Sequence, residues 1–160
     1  MVTHFDHVTI VVRDLDAAKR FFGLLGFEHD RSVIISGNVF SEYMGIPGIE
    51  AEHVTLVLTG AVPRAEVQFL AYRVPDPELN PHIEHLNTVG FNHVCFAVED
   101  LDSELGRLRA AGIETRNDVL DFHGRKLVFL RGPEGITVEL SERYDAASVD
   151  SGIPPKALST

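Results

Sequence analysis

The sequence predicts an α+β fold built from two tandem βαβββ modules, and three observations predict it. The first is a repeat. Residues 5–28 (FDHVTIVVRDLDAAKRFFGLLGFE) and 91–114 (FNHVCFAVEDLDSELGRLRAAGIE) align without a gap at an offset of 86 and match at 9 of 24 positions, where chance gives roughly one or two. The second is a change of period, since each copy opens on an alternating apolar run and passes into a helical one. The third is that three short β-rich runs, separated by turn residues, follow each helical stretch.

The elements follow in order. In residues 7–12 the period of two sets Val8, Ile10 and Val12 on one face and His7, Thr9 and Val11 on the other. The second copy repeats this, with Val94, Phe96 and Val98 opposite His93, Cys95 and Ala97. Bulky residues mark the helix-packed face and small ones share the histidine's face, as a strand lining a cavity requires. Asp14 and Asp100 read as helix N-caps, with Asp16 and Asp102 adding negative charge to the first turns. Capping accounts for these aspartates better than a metal or acid pair does. Helices are expected over 15–25 and 101–111, each closed by a glycine, Gly26 or Gly112, that accepts the positive φ of a last turn. The strands expected next are 31–36, 54–59 and 66–72 in the first module and 114–117, 126–130 and 136–142 in the second. The last strands, AEVQFLAY and ITVELSER, align Gln68 with Glu139 at an offset of 71, so the first module is 15 residues longer. Most of the excess falls in 36–53, expected to be loop or short helix at a pocket rim. The expected organisation is a first module over 1–72, a polar linker over 73–89, a second module over 90–144 and a flexible tail over 145–160.

Composition sets the bounds. At 160 residues and 44% hydrophobic, the chain suits one compact domain or two small modules sharing a core, with room for a pocket. No run approaches the ~18 apolar residues of a membrane span, and MVTHFDHVTI lacks the basic-then-apolar start of a secretory signal. A cytoplasmic protein without a membrane partner is therefore expected. The single Cys95 excludes an intrachain disulfide, and a lone cysteine in an apolar strand reads as a small packing residue rather than a nucleophile. A formal net charge of -10 argues against binding to phosphate backbones, so nucleic acid is not an expected partner.

A histidine duplicated with its module is structural in both copies or a ligand in both. The residues alone leave that choice open. The paired βαβββ pattern, the histidine opening each module, the carboxylate in Val138-Glu139-Leu140 and the turn in LVFLRGPEGITVEL (residues 127–140) resemble the vicinal oxygen chelate superfamily, over residues 4–144. That superfamily includes glyoxalase I, methylmalonyl-CoA epimerase, fosfomycin resistance enzymes, extradiol dioxygenases and bleomycin-binding proteins. The resemblance implies that each module curls into half of a cupped, barrel-like mixed sheet with the helices outside. It also implies one divalent metal ion (Ni, Co, Zn, Mn or Fe) between the halves, held by His7, Gln68, His93 and Glu139. The residue pattern agrees, because Val67, Phe69, Val138 and Leu140 take the opposite face of the last strands. Two imidazoles, an amide oxygen and a carboxylate suit a borderline divalent ion with a position or two left for water or substrate.

Gln68 separates readings within that resemblance. Glyoxalase I proteins usually carry glutamate there, whereas the epimerases share the order His, Gln, His, Glu. A neutral amide leaves the metal and its ligands near about +1 rather than zero, which favours an enolate. The expected activity is that of a lyase or isomerase of the glyoxalase/epimerase type. A carbonyl and a neighbouring oxygen of a small oxygenated substrate or thioester would chelate the metal, and Glu139, the expected catalytic base, would move the α-proton. The epimerases supply a second glutamate from a middle strand of the first module; HVTLVLTG has none, which leaves Glu50, Glu52 or Glu66 as substitutes. Substrate contacts are expected from Thr9, Cys95, Tyr43 and Thr55, with Tyr43, Met44 and Ile46 as an apolar lid.

Other classes stay open at this level. His7, His93 and Glu139 also make the facial triad of an Fe(II) ring-cleaving dioxygenase, and the fold serves non-catalytic drug-binding proteins of the bleomycin-resistance kind. For a fosfomycin-type transferase, Arg125 and Lys126 are the nearest approach to a cationic cluster. His82 and His85, in HIEH, have no second ligand pair and read as part of a polar linker; His123 and His53 are surface residues or substrate contacts. A homodimer is expected, since cupped half-sheets leave edges for a partner to cover.

Overall fold

A computed structural model of the chain describes residues 1–144; the flexible tail expected over 145–160 lies outside the described residues. The chain divides into two compact units. Among the described residues, one holds Met1–Asn92 with Gly132–Ile136, the other His93–Arg131 with residues 137–144. The first unit contains β1 (His7–Val11), α1 (Leu15–Leu24), β2 (Phe27–Ser36), α2 (Asn38–Met44), β3 (Glu50–Leu58) and β4 (Glu66–Val74). Its sheet runs β1-β4-β3-β2, with β1 parallel to β4 and the other pairs antiparallel. The second unit contains β5 (Val94–Val98), α3 (Leu101–Ala110), β6 (Leu120–Asp121), β7 (Arg125–Arg131) and β8 (Thr137–Arg143). Its sheet repeats the plan as β5-β8-β7-β6, again with one parallel pair. The fold is α+β: the described residues form two four-stranded mixed sheets and three α-helices, and neither sheet closes into a barrel.

The helices form where capping and periodicity ask for them. The Asp14 carboxylate accepts from the Ala17 N–H at 2.8 Å and that of Asp100 from Ser103 at 2.9 Å, each satisfying one of the orphan donors of a first turn. Gly26 and Gly112 follow the helices at φ 90° and 85°, a conformation that strains any residue with a Cβ. Helix α1 buries Ala18, Phe21 and Phe22, and α3 buries Leu101, Leu105 and Leu108, each a single stripe at helical spacing. Phe22 meets Phe21, Phe27 and Phe69 edge-on at centroid distances of 5.3, 5.8 and 5.3 Å. Two further carboxylates serve the helix starts: Glu134 Oε1 accepts from the N–H of Arg13 and Asp14 at 2.6 and 2.9 Å, and Glu142 Oε2 from Leu101 at 2.8 Å.

Three elements differ from expectation. Strand β2 starts at Phe27 rather than 31, because the polar run Glu28, His29, Asp30 hides the alternation and a register shift falls between His29 and Arg31. The span 36–53 contains α2, ended by Gly45 in the left-handed region, and β3 starts within it at Glu50. The strand expected over 114–117 does not form; Thr115 makes one isolated bridge to Leu130, and β6 lies further on. There the Asn117 side chain takes the Phe129 N–H at 2.9 Å, replacing the carbonyl that a continuing ladder would offer. No helix among the described residues is long and apolar enough to cross a membrane.

Candidate metal centre

In the first unit, β1 sets His7 opposite Glu66 and Thr9 opposite Gln68, and β3 sets Thr55 opposite Gln68. Alternation then gives His7, Thr9, His53, Thr55, Glu66 and Gln68 one shared face. Val67 and Phe69 lie on the other face with essentially no exposure. At the Val11 end of the shared face a small apolar cluster of Ile35, Ile49, Ala51 and Leu70 is covered by Met44 and Ile46, whereas Tyr43 is 84% exposed.

Hydrogen bonds orient both expected ligands of this unit. His7 Nδ1 lies 2.6 Å from Asp6 Oδ2, a carboxylate–imidazole contact that leaves Nε2 as the ligating atom. The same hydrogen bond, the largest cause, holds the Asp6 carboxyl below its ordinary value. Gln68, 9% exposed, donates from Nε2 to Glu66 Oε2 at 2.8 Å. A carboxylate only accepts, so this contact fixes which end of the amide is oxygen. That oxygen accepts from His53 Nε2 at 2.9 Å. Glu66 is in turn bonded by Arg64 Nε at 2.6 Å, and Arg64 first, then Gln68, hold its carboxyl below the usual range. Thr55 is fully buried, its hydroxyl without a partner among the described residues.

The three substitute bases are all engaged. Glu50 and Glu52 approach Arg73 at 3.2 and 3.8 Å, and Glu52, paired with Ala71, lies on the face opposite Gln68. Glu66 shares the face of Gln68 but is tied to it and to Arg64.

In the second unit, Cys95 stands opposite Glu139 across the parallel pair, and Phe129 stands opposite Glu139 on β7. His93, just before β5, places Nε2 3.3 Å from Glu139 Oε2, with its ring 5.2 Å from that of Phe129. Donor atoms that share one ion at bonds of about 2.0–2.2 Å are separated by about this much. Burial, and then a hydrogen bond from the thiol to Glu139, push Cys95 up to about 12. That direction favours the thiol over the thiolate and lends no support to a nucleophilic role for this cysteine.

Each unit carries two of the four expected ligands. Among the described residues, no group of three or more His, Cys, Asp or Glu side chains gathers to hold a metal. Sequence reasoning passed over Asp6 and took Glu66 and His53 for other roles. The available signals were a carboxylate directly before the first histidine and a second polar residue two positions before Gln68, on its face. A cavity of about 750 Å³ runs beside β1 and is lined by Thr9, Leu79, Ile83 and Phe91 among others, but not by His7 or Gln68. In the linker, the rings of His82 and His85 lie 5.2 Å apart.

Residues 6–129 match the Glyoxalase/Bleomycin resistance protein/Dioxygenase superfamily. The chain belongs to this superfamily. It is 26% identical over 148 residues to an ethylmalonyl-CoA/methylmalonyl-CoA epimerase of Cereibacter sphaeroides, covering 89% of this chain and 99% of that protein. It is 24% identical over 137 residues to glyoxalase I of Saccharomyces cerevisiae, covering 86% of this chain but only 37% of the yeast protein. Among solved structures, a glyoxalase family protein from Bacillus cereus superposes with a TM-score of 0.80 at 26% identity, over 91% of this chain and 97% of the other. The fosfomycin resistance protein FosX of Listeria monocytogenes, complexed with Mn(II) and sulfate, shares the fold at a TM-score of 0.57 and 16% identity, over 89% and 93% of the two chains. The epimerase and the glyoxalase I to which this superfamily member is similar are enzymes.

Proposed function

We propose that this superfamily member is a divalent-metal-dependent lyase or isomerase that moves a proton next to the carbonyl of a small oxygenated substrate or acyl thioester. His7, Gln68, His93 and Glu139 are its metal ligands. The observation that carries the reading is the His93–Glu139 pair, two donors 3.3 Å apart on a sheet face backed by an apolar core. The repeated register gives His7 and Gln68 the same face in the first unit. The epimerase relative, matched over nearly all its length, supports the reaction class.

When bound, a divalent ion supplies Lewis acidity, acidifying the α-proton and offsetting the charge of the enolate. Glu139 is the catalytic base, accepting that proton and returning it. Gln68 donates an oxygen without adding charge, so the site stays more positive than one with two carboxylates. Asp6 positions His7 through Nδ1. Thr9 and Cys95, small residues opposite Gln68 and Glu139, leave space for substrate, and the Cys95 thiol serves as a hydrogen-bond donor. The edge positions of β1 and β5 in their sheets support a homodimer as the working form.

One observation favours a second reading. The Gln68 oxygen is occupied by His53, and a Gln68 that stays there reduces the set to His7, His93 and Glu139, a 2-His-1-carboxylate triad suited to Fe(II) and oxygen chemistry. Elemental analysis of protein purified without chelator, with calorimetric titration of the apo form, tests both. The expected result is one ion per ligand set, with affinity lowered at least about tenfold in His93→Ala. Unchanged affinity removes the assignment, and iron as the retained metal favours the triad.

A further inference from the structure

We propose that Arg125 and Arg143 form an anion subsite on the Glu139 face of the second unit, taking the carboxylate or phosphate end of an elongated substrate. That the reacting carbon lies at Glu139 rests on the function proposed above; the subsite itself stands on the register. Along β7 and β8 the pairs run Phe129 with Glu139, Leu127 with Ser141 and Arg125 with Arg143, without a bulge. Alternation therefore sets both arginines on the face of Glu139. Directly opposed side chains of an antiparallel pair start about 5 Å apart, where like charges repel. An oxyanion between them turns that repulsion into a two-armed clamp, and the planar guanidinium suits carboxylate and phosphate alike.

Neighbouring cations show the contrast. On the other face of the same strands Lys126 pairs with Asp102 at 2.8 Å and Glu142 at 3.8 Å, and at the far end of β7 Arg131 approaches Glu114 at 3.9 Å. Arg125 and Arg143 have no ion pair and no guanidinium hydrogen bond among the described residues, in a chain with 24 acidic residues against 14 Lys and Arg. Arg125 is half-buried and close enough to act electrostatically on Cys95, which stands opposite Glu139. Ser141, 4% exposed between Glu139 and Arg143, keeps its hydroxyl unpartnered among the described residues. Four residues of strand from Glu139 to Arg143 span about 13 Å. A three-carbon oxo acid is too short to touch both ends; the acyl thioester of a phosphorylated carrier, or an adduct of a peptide thiol, has the reach.

Calorimetric titration with two thiol-free probes, adenosine 3′,5′-bisphosphate and S-methylglutathione, tests the subsite. The proteins compared are the wild type, Arg125→Gln, Arg143→Gln and, as a control on α3, Arg109→Gln. One probe is expected to bind the wild type, with affinity about tenfold or more weaker in each of the first two variants and unchanged in the control. Binding of the bisphosphate assigns the anion as phosphate, and binding of the peptide assigns it as carboxylate. Arg125→Lys keeps the charge and loses the fork, so an intermediate loss at an unchanged melting temperature separates recognition from misfolding. Equal affinity in wild type and glutamine variants, equal loss in Arg109→Gln, or no binding of either probe by about 10 mM overturns the proposal. Neither probe carries a reacting carbonyl and no turnover is needed, so a failure of the proposed reaction leaves this result readable.

Discussion

Asp6 and Gln68 give opposite kinds of test of the same site. Asp6 is exposed and its ion pair with His7 contributes little to folding, yet it fixes the imidazole. Asp6→Asn should therefore lower divalent-metal affinity by about 10- to 100-fold while the melting temperature stays within experimental error. Calorimetry beside thermal melts reads both, and an unchanged affinity means that His7 needs no such support. Gln68→Glu changes charge rather than orientation. If Gln68 is a ligand, the variant keeps its metal and slows proton exchange by about one to three orders of magnitude, because the enolate then forms beside an added negative charge. In the triad reading the same carboxylate fills a position that oxygen or substrate needs, and oxygen uptake collapses instead.

The helices are held by few residues, and those residues are legible in the sequence. Asp14, Asp100, Gly26 and Gly112 occupy the positions that helix ends require, and the alternation of β1, β4, β5 and β8 assigned His7, Gln68, His93 and Glu139 to one face of each sheet. Asp14→Ala and Asp100→Ala should each cost about 1 kcal/mol, and Phe22→Ala, which removes the ring shared by three others, about 3–5 kcal/mol. Urea unfolding measures all three; caps that cost nothing would mean that Glu134 and Glu142 alone secure the helix starts. What the sequence concealed has a common cause, the substitution of side chains for backbone or pattern. Asn117 ends a ladder that propensity would continue, the polar run at 28–30 masks the start of β2, and the hydrogen bonds that Asp6 makes to His7 and that His53 and Glu66 make to Gln68 leave no periodic trace.

At the scale of the whole molecule, each sheet ends in an edge strand that carries a candidate histidine at or next to its first residue, β1 with His7 and β5 with His93. A homodimer that covers these edges is the expected state. Light scattering should give about twice the 17.7 kDa chain mass at micromolar concentration, and a monomer throughout that range contradicts it. The central claim, metal-dependent proton transfer, is tested most directly by solvent deuterium incorporation into acyl thioesters and 2-oxo compounds. Wild type and Glu139→Gln are compared with and without metal, in air and under anaerobic conditions. The expected result is exchange that requires metal and Glu139 and is indifferent to oxygen. Turnover that persists in Glu139→Gln, or that stops when oxygen is removed, would contradict it.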